Sequence, residues 1–545
     1  MIFTEFRFLF FFVIVFCAYW ALAQHKHRKF WLLICSYIFY GAWDWRFLSL
    51  MLISTVIDYI VGLMLVRPTE EDILDASTQT SPPHTQSTLP KVAEVAESQN
   101  QQPEIYQNHV SANPEKLLGW QSWLWKIWSW SAWWDSICAK PLKPQHRQQW
   151  LMVSLLGNLG ILGFFKYYNF FVDSGSNFLT FLGLPFSVSS LQIILPVGIS
   201  FYTFQTLSYS LDINRGKLKP IENFWDFALF VSFFPQLVAG PIVRASIFLP
   251  QLPATKRFED VDVRGCLMLF LGGYIKKACI SDNLSPFVGQ YFANPEQYDL
   301  ATAWVAGIFL AIQVYCDFSG YSDMAIATAG LLGYKLPRNF NFPYLASSIT
   351  ELWKRWHITM SNWFRDYLYV PLMQKRIKKD RTPLFSYRNL MFTMLLTGLW
   401  HGAAWHFVVW GGLNGMALVV HREWSNRIAN HETLKAISSL VGLPLTFYWF
   451  CASGVFFGSQ DLYSGWVSFK AFIFFQAPGV GSLDARAIWV LVPLGVMHWL
   501  NQRGWLSNWW RQVPAWSFAA CYGTFTAAVL PATAIVYQPF VYFQF

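Results

Sequence analysis

The sequence predicts an all-α, polytopic integral membrane protein, and three observations carry that prediction. Of 545 residues, 54% are hydrophobic, 19% aromatic and only 13% charged, about half the charged fraction of an ordinary soluble domain. The apolar residues recur as separate runs along the whole chain, which indicates many spans and not one anchor. The runs approach the roughly 20 residues a helix needs to cross the hydrocarbon layer, and they are too uniformly apolar for the alternating strands of a barrel.

Candidate spans lie at 6–23, 30–43, 47–66, 150–172, 191–211, 225–243, 262–280, 301–316, 390–420, 438–458, 486–500 and 516–537, which gives about 11–12 transmembrane or re-entrant helices. Residues 6–23 resemble a signal peptide only at Ala21-Leu22-Ala23. The segment before them is neutral (Glu5 against Arg7), and the basic cluster Lys26, Arg28, Lys29 follows the apolar run; a signal peptide has its charge first. A retained span is therefore expected. The stretch 390–420 is long enough for one span plus a broken or re-entrant piece, and it carries Gly398, Gly402, Gly411, Gly412 and Gly415.

The net charge of +9 does not point to nucleic acid, because the basic residues sit in short loops between apolar runs. Loops 24–29, 212–224 and 373–388 are basic, whereas 173–190 contains no Lys or Arg. The positive-inside rule then places the basic loops in the cytoplasm, and the N-terminus and 173–190 outside. The eight cysteines form no CxxC pair and fall mostly in apolar runs, so buried thiols are expected in place of a disulfide framework or zinc site.

One region breaks the pattern. Residues 68–116 are rich in Gln, Ser, Thr, Pro and Glu, a composition expected to be disordered. The tryptophan-dense stretch 118–135 follows. Its indoles point all round a helical axis, which suits a segment lying at the headgroup interface with membrane lipid; partner docking is the sharper alternative. Together, 67–149 reads as a cytoplasmic insertion between N-terminal helices at 1–66 and a core at 150–425, with C-terminal helices at 426–545.

Three blocks could carry chemistry. In ELWKRWHITMSNWFRDYLYVPL at 351–372, a helical wheel puts Trp353, Trp356, His357, Met360, Phe364 and Tyr367 within one arc of about 100°. Lys354, Ser361, Asn362, Arg365 and Glu351 fall opposite. This predicts a helix along the cytoplasmic boundary with His357 turned inward. In TGLWHGAAWHFVVWGGLNG at 397–415, His401 is an ionisable group in an apolar segment, where such groups are costly and usually face a cavity. Imidazole also suits proton transfer near neutral pH. A structural histidine competes with the functional reading at both positions, and His406 reads as structural. No metal-binding spacing such as HExxH is present. In the third block, at 315–344, Asp317, Ser319, Tyr321 and Asp323 line a cavity or mark a helix end meeting water.

These blocks in series, with LPVGISFYTFQTLSYSLDINRG at 195–216 and FVSFFPQLVAGPIVR at 230–244, resemble the membrane-bound O-acyltransferase (MBOAT) family, and most of all the branch of the alginate O-acetyltransferase membrane subunit. The resemblance is strong from about 150 to 425. It implies a ring of helices around a central tunnel in which a cytoplasmic acyl donor meets an acceptor from the other side. His401 matches the family's essential histidine in WHG, and His357 its second histidine in RWH. Trp400, Trp356, Arg355, Asp317, Ser319 and Tyr321 are expected to bind substrate. No metal and no bound cofactor are expected, with acetyl-CoA as acyl donor. The expected activity is O-acetylation of an exported, alginate-like polysaccharide from the bacterial inner membrane, finished by a periplasmic SGNH-type acetyltransferase partner. Alternatives are O-acetylation of peptidoglycan, D-alanylation of teichoic acid, or a transporter in which His401 serves as gate or proton relay. The insertion 67–149 departs from that branch, where the loop is short.

Overall fold

The computed structural model describes residues 3–65, 144–184, 189–374, 383–484, 491–504, 509–534 and 540. The insertion expected at 67–149, apart from its last few residues, and most of the basic loop 373–388 lie outside the described residues.

Among the described residues the chain is helical, with one isolated bridge between Tyr298 and Gly481. Helices α1 (Phe6–Ala21), α2 (His25–Asp44) and α3 (Leu48–Leu65) open the chain. Then come α4 (Pro144–Leu162), α5 (Tyr168–Phe181), α6 (Ile199–Asn214), α7 (Phe224–Ser232), α8 (Val263–Tyr274), α9 (Asp282–Ala293) and the 32-residue α10 (Leu300–Leu331). Among the described residues four helical stretches are long and apolar enough to cross a membrane: His25–Leu65, His146–Phe181, Leu300–Leu331 and Glu432–Gly458. Large apolar side chains stand exposed along α1, α4 and α5, among them Phe10, Leu156 and Phe171, as expected of surfaces that meet lipid.

Short polar side chains set where helices begin. Asp262 accepts from Gly265 N–H at 2.9 Å and Asp299 from Thr302 N–H at 2.8 Å, satisfying donors that a helix N-terminus leaves open. Ser348 does the same for α11 (Ile349–Arg355). A buried polar knot ties α3, α4 and α6 together: the Asp58 carboxylate accepts from Ser154 (2.5 Å), Asn158 (2.7 Å) and Ser210 (2.8 Å). Such satisfaction is what permits a carboxylate in an apolar interior.

Two expectations change. The polar break at 315–323 is not a helix end, because α10 runs unbroken to Leu331 and Asp317, Ser319 and Tyr321 sit inside it, buried. The aromatic stripe at 351–372 does not ride one helix. It breaks after α11 and resumes as α12 (Ile358–Phe364), with His357 in the left-handed conformation at φ +40°. Residues Trp353, Trp356, His357, Met360, Phe364 and Tyr367 are buried all the same. The wheel found the right face on the wrong backbone.

The stretch 390–420 likewise resolves into two full helices, α13 (Pro383–His401) and α14 (Trp405–Arg427), folded back at Gly402-Ala403-Ala404. Glycines allow their close approach. A methyl built on Gly411 would overlap the Met394 carbonyl oxygen and lie 3.2 Å from Gly398 Cα. Gly411→Ala should therefore destabilise the protein by about 1–3 kcal/mol, read as a lowered Tm in detergent; an unchanged Tm would contradict this packing. The remaining helices of more than one or two turns among the described residues are α15 (Glu432–Gly458), α16 (Leu462–Ile473), α17 (Leu491–Gln502) and α18 (Ala515–Val529).

Candidate active site

The site forms where the end of α13 meets the break between α11 and α12. The reason for that break lies in Asn339. Its backbone carbonyl accepts from Ile358 N–H (2.8 Å), and Asn341 N–H donates to the Arg355 carbonyl (2.9 Å). The segment 339–341 thus takes up backbone groups that a continuous helix would have paired internally. These contacts hold His357 in a left-handed conformation that costs an L-residue roughly 1–2 kcal/mol.

The same asparagine orients the His357 ring. Asn339 Oδ1 accepts from Thr359 N–H (3.3 Å) and Thr359 Oγ1–H (2.8 Å), while its amide nitrogen donates to Ser322 Oγ (3.1 Å). The atom facing His357 Nδ1 at 3.1 Å is therefore an acceptor. Nδ1 must carry the proton, which leaves Nε2 with its lone pair. That nitrogen is buried and has no hydrogen-bond partner among the described residues. Phe318 presses on the ring edge to face, 4.6 Å between centroids.

Trp400 stands between the two histidines, with ring centroids 6.0 Å from His357 and 4.9 Å from His401. Its face stacks on Phe204, which stacks in turn on Trp363 at 3.9 Å. The indole N–H is buried without a partner among the described residues. His401 is 2% exposed and is held edge to face by Trp410 (5.1 Å) and Phe457 (5.3 Å).

Lys166 fixes the backbone at this point. It donates from Nζ to the carbonyls of Trp400 (2.7 Å) and His401 (3.0 Å), and Tyr167 OH donates to the Leu399 carbonyl (3.0 Å). An amine and a hydroxyl thus satisfy the open carbonyls at the end of α13. Lys166 lies in a wide π turn at Gly163–Tyr167, a local distortion common at functional sites.

His401 also walls a cavity of about 30 Å³, with Leu310 and Val314 of α10, Trp356, Trp410 and Phe457. It is the one titratable side chain among the lining residues. A space of this size admits a water or a small apolar group.

The expected site residues therefore fall into two sets. His401, Trp400, His357 and Trp356 come together. Asp317, Ser319 and Tyr321 lie on α10 but not among the cavity's walls: Tyr321 packs against Phe3 and Phe540, and Ser319 is buried. Asp317 pairs with Lys277 at 2.7 Å, and Lys277 also pairs with Asp282 at 2.8 Å. Lys277→Met would take away the cation both carboxylates share, a loss of about 3–5 kcal/mol for a buried pair. The expected result is little monodisperse protein on size-exclusion chromatography; a normal yield would contradict it. Arg355 stands at the outer end of α11, paired with Glu351 at 2.5 Å. Burial pushes the Glu351 carboxyl up, but hydrogen bonds from Ser347 and the Arg355 charge outweigh it and hold it below its usual range. His406, expected to be structural, donates from Nδ1 to the Phe456 carbonyl at 2.8 Å.

Lys166 and Phe457 join the site from outside the three blocks, and Asn339 and Trp410 join it from within them without having been singled out. For Lys166 a signal exists in the sequence: it is the lone charge in the apolar stretch 150–172, the kind of residue that marks function inside a membrane.

An apolar helical protein that buries two histidines around one indole, beside an apolar-lined cavity, has the features of a membrane enzyme. Residues 220–454 match the model of MBOAT, the membrane-bound O-acyltransferase family. The chain is 35% identical over 425 residues to a protein of Azotobacter vinelandii named probable alginate O-acetylase AlgI, covering 77% of this chain and 69% of that one. It is 33% identical over 478 residues to the Pseudomonas aeruginosa protein of the same name, with 87% and 75% covered. The peptidoglycan O-acetyltransferase of Helicobacter pylori is 38% identical over 347 residues, with 58% and 63% covered. The chain belongs to the membrane-bound O-acyltransferase family and is an O-acyltransferase.

Proposed function

We propose that this enzyme moves acetyl groups from cytoplasmic acetyl-CoA to hydroxyls of an exported, alginate-like polysaccharide, with His401 as general base. The carrying observation is the placement of His401 as the one titratable side chain on an apolar cavity, beside the unpartnered Trp400 N–H. Helices ring a tunnel, α11 and α12 lie along the cytoplasmic interface, and donor and acceptor enter from opposite ends. The enzyme works in the bacterial inner membrane and hands acetyl to the polymer directly or through a periplasmic SGNH-type partner. Trp356 shapes the cavity in this reading.

The chemistry is balanced by one proton transfer. A hydroxyl is a weak nucleophile at neutral pH, so His401 takes its proton as the oxygen attacks the thioester carbonyl. The carbonyl oxygen gains negative charge, and the Trp400 N–H is the candidate donor for it. The tetrahedral centre then expels the thiolate, which takes the proton from the imidazolium. One ester forms, one thioester breaks, and the base is restored. His357 orients the acceptor or tunes His401.

Similarity to a peptidoglycan O-acetyltransferase favours a second acceptor, the glycan of the cell wall. Mass spectrometry of envelope polysaccharides from a deletion strain separates the readings. Loss of ester-linked acetyl from exopolysaccharide supports the first, and loss from peptidoglycan alone moves the acceptor to the second. No loss of any ester-linked acyl group would overturn both.

A further inference from the structure

A group of arginines outside the histidine site has more positive charge than its surroundings need. Arg215, at the end of α6, donates to the Asp366 carbonyl at 3.0 Å, and Arg244 pairs with the Asp366 carboxylate at 2.8 Å. Arg365 pairs with the same carboxylate at 2.7 Å. Arg147, near the start of α4, reaches the neighbouring Asn214 carbonyl at 3.2 Å. The guanidiniums of Arg215 and Arg244 both lie over the Tyr367 ring, 5.0 and 5.1 Å from its centroid.

Four guanidiniums thus face two carboxylates, Asp366 and the buried Asp212 beside Tyr367. Burial pushes the Asp366 carboxyl up, but hydrogen bonds from Arg365 and Arg244 hold it below its usual range, so it counts as a full negative charge. Among the described residues two positive charges are left over. Two donors are left over as well: Arg244 Nη2 and Arg147 Nε are buried without a hydrogen-bond partner among the described residues. The positive-inside rule explains basic residues near the cytoplasm, but it does not call for buried guanidinium nitrogens with nothing to bind. Forked donors of this kind match the oxygens of a phosphate.

The cluster is joined to the histidine site by a run of ring contacts. Tyr367 meets Trp363 at 5.1 Å, Trp363 meets Phe204 at 3.9 Å, Phe204 meets Trp400 at 5.3 Å, and Trp400 meets His401 at 4.9 Å. The Tyr367 ring is therefore within about 20 Å of the His401 imidazole, a distance of the order that a pantetheine arm spans between its thioester and its phosphates.

We infer that Arg147, Arg215 and Arg244 form a phosphate-binding site that anchors the nucleotide end of a coenzyme A thioester while its acyl end reaches His401. This rests on the donor named above and deepens it, by assigning the residues that recognise the donor's phosphates.

The test is equilibrium binding of labelled coenzyme A to the purified full-length protein in nanodiscs, with phosphate-free pantetheine as the paired probe. Arg147→Gln is the gentler variant, since among the described residues that side chain's hydrogen bond goes to a backbone carbonyl; Arg244→Gln is the second. Each should weaken coenzyme A binding by about tenfold, the scale of one charge-assisted hydrogen bond, and leave pantetheine binding unchanged. A parallel fall for both probes would mean a structural role and overturn the assignment. Equal coenzyme A binding by wild type and both variants would overturn the arginine site while leaving the donor intact. If the wild type binds no coenzyme A and transfers acetyl only from another thioester, the donor reading falls and the site falls with it.

Discussion

Replacing His401 by alanine should lower acyl transfer by about 10²–10⁴-fold, the range associated with one positioned general base, and leave the protein folded. The geometry separates the two effects. His401 ends α13, whose final carbonyls are held by Lys166 and Tyr167 through the backbone, so truncating the imidazole leaves those backbone ties in place. What it removes is the cavity's titratable wall. His401→Gln gives the companion measurement, because an amide keeps polarity and much of the volume but cannot take a proton. Equal losses in both variants, with unchanged Tm, identify proton transfer as the missing step. A glutamine variant near wild-type rate would contradict it. Lys166→Met serves as the structural control: it leaves the imidazole in place and frees the carbonyls of residues 400 and 401, so its defect should come with a lowered Tm.

The second large effect is expected at His357. Its Nδ1–H is committed to Asn339 and its Nε2 is directed elsewhere, so its role depends on orientation as much as on basicity. Asn339→Asp keeps an acceptor at that position, whereas Asn339→Leu removes it and leaves Thr359 and His357 without their shared oxygen. The leucine variant should lose about 10²-fold in kcat, the scale of a misplacement of about 1 Å at a reacting centre. The aspartate variant should retain more activity. His357→Ala should match or exceed the leucine loss. Steady-state kinetics on the three variants checks the order, and an Asn339→Leu enzyme with wild-type kcat would remove His357 orientation from the account.

How much of this was legible in the sequence follows from what each signal measures. Apolar run length reports burial in lipid, so the helical class, the positions of α1, α3 and α15 and the first half of α10 could be read directly. Run length does not report backbone breaks inside a buried stretch. The turn at Gly402-Ala403-Ala404 is as apolar as the helices it joins, and 390–420 therefore read as a span with a broken piece and not as a hairpin. The stripe at 351–372 shows the same limit. Side-chain periodicity survived the kink at His357 because α11 and α12 both turn their aromatic residues inward, while the kink itself depends on Asn339, a residue distant in sequence. Asp317 shows the reverse case. Its polarity inside an apolar run was visible, but its partner Lys277 comes from another element, and no spacing rule connects them. The pairing of His401 with Trp400 is local and was legible; the approach of His357 to the same indole required the fold.

The central claim is that His401 drives acyl transfer from a thioester inside the membrane. It is tested most directly by reconstituting the purified full-length enzyme in proteoliposomes with acetyl-labelled coenzyme A and alginate as acceptor probe, and counting ester-linked label on the polymer alongside free thiol released. The account predicts label and thiol in equal amounts with the wild-type enzyme and neither with His401→Ala. Undiminished transfer by the alanine variant, or passage of substrate across the bilayer with no thioester consumed, would contradict it.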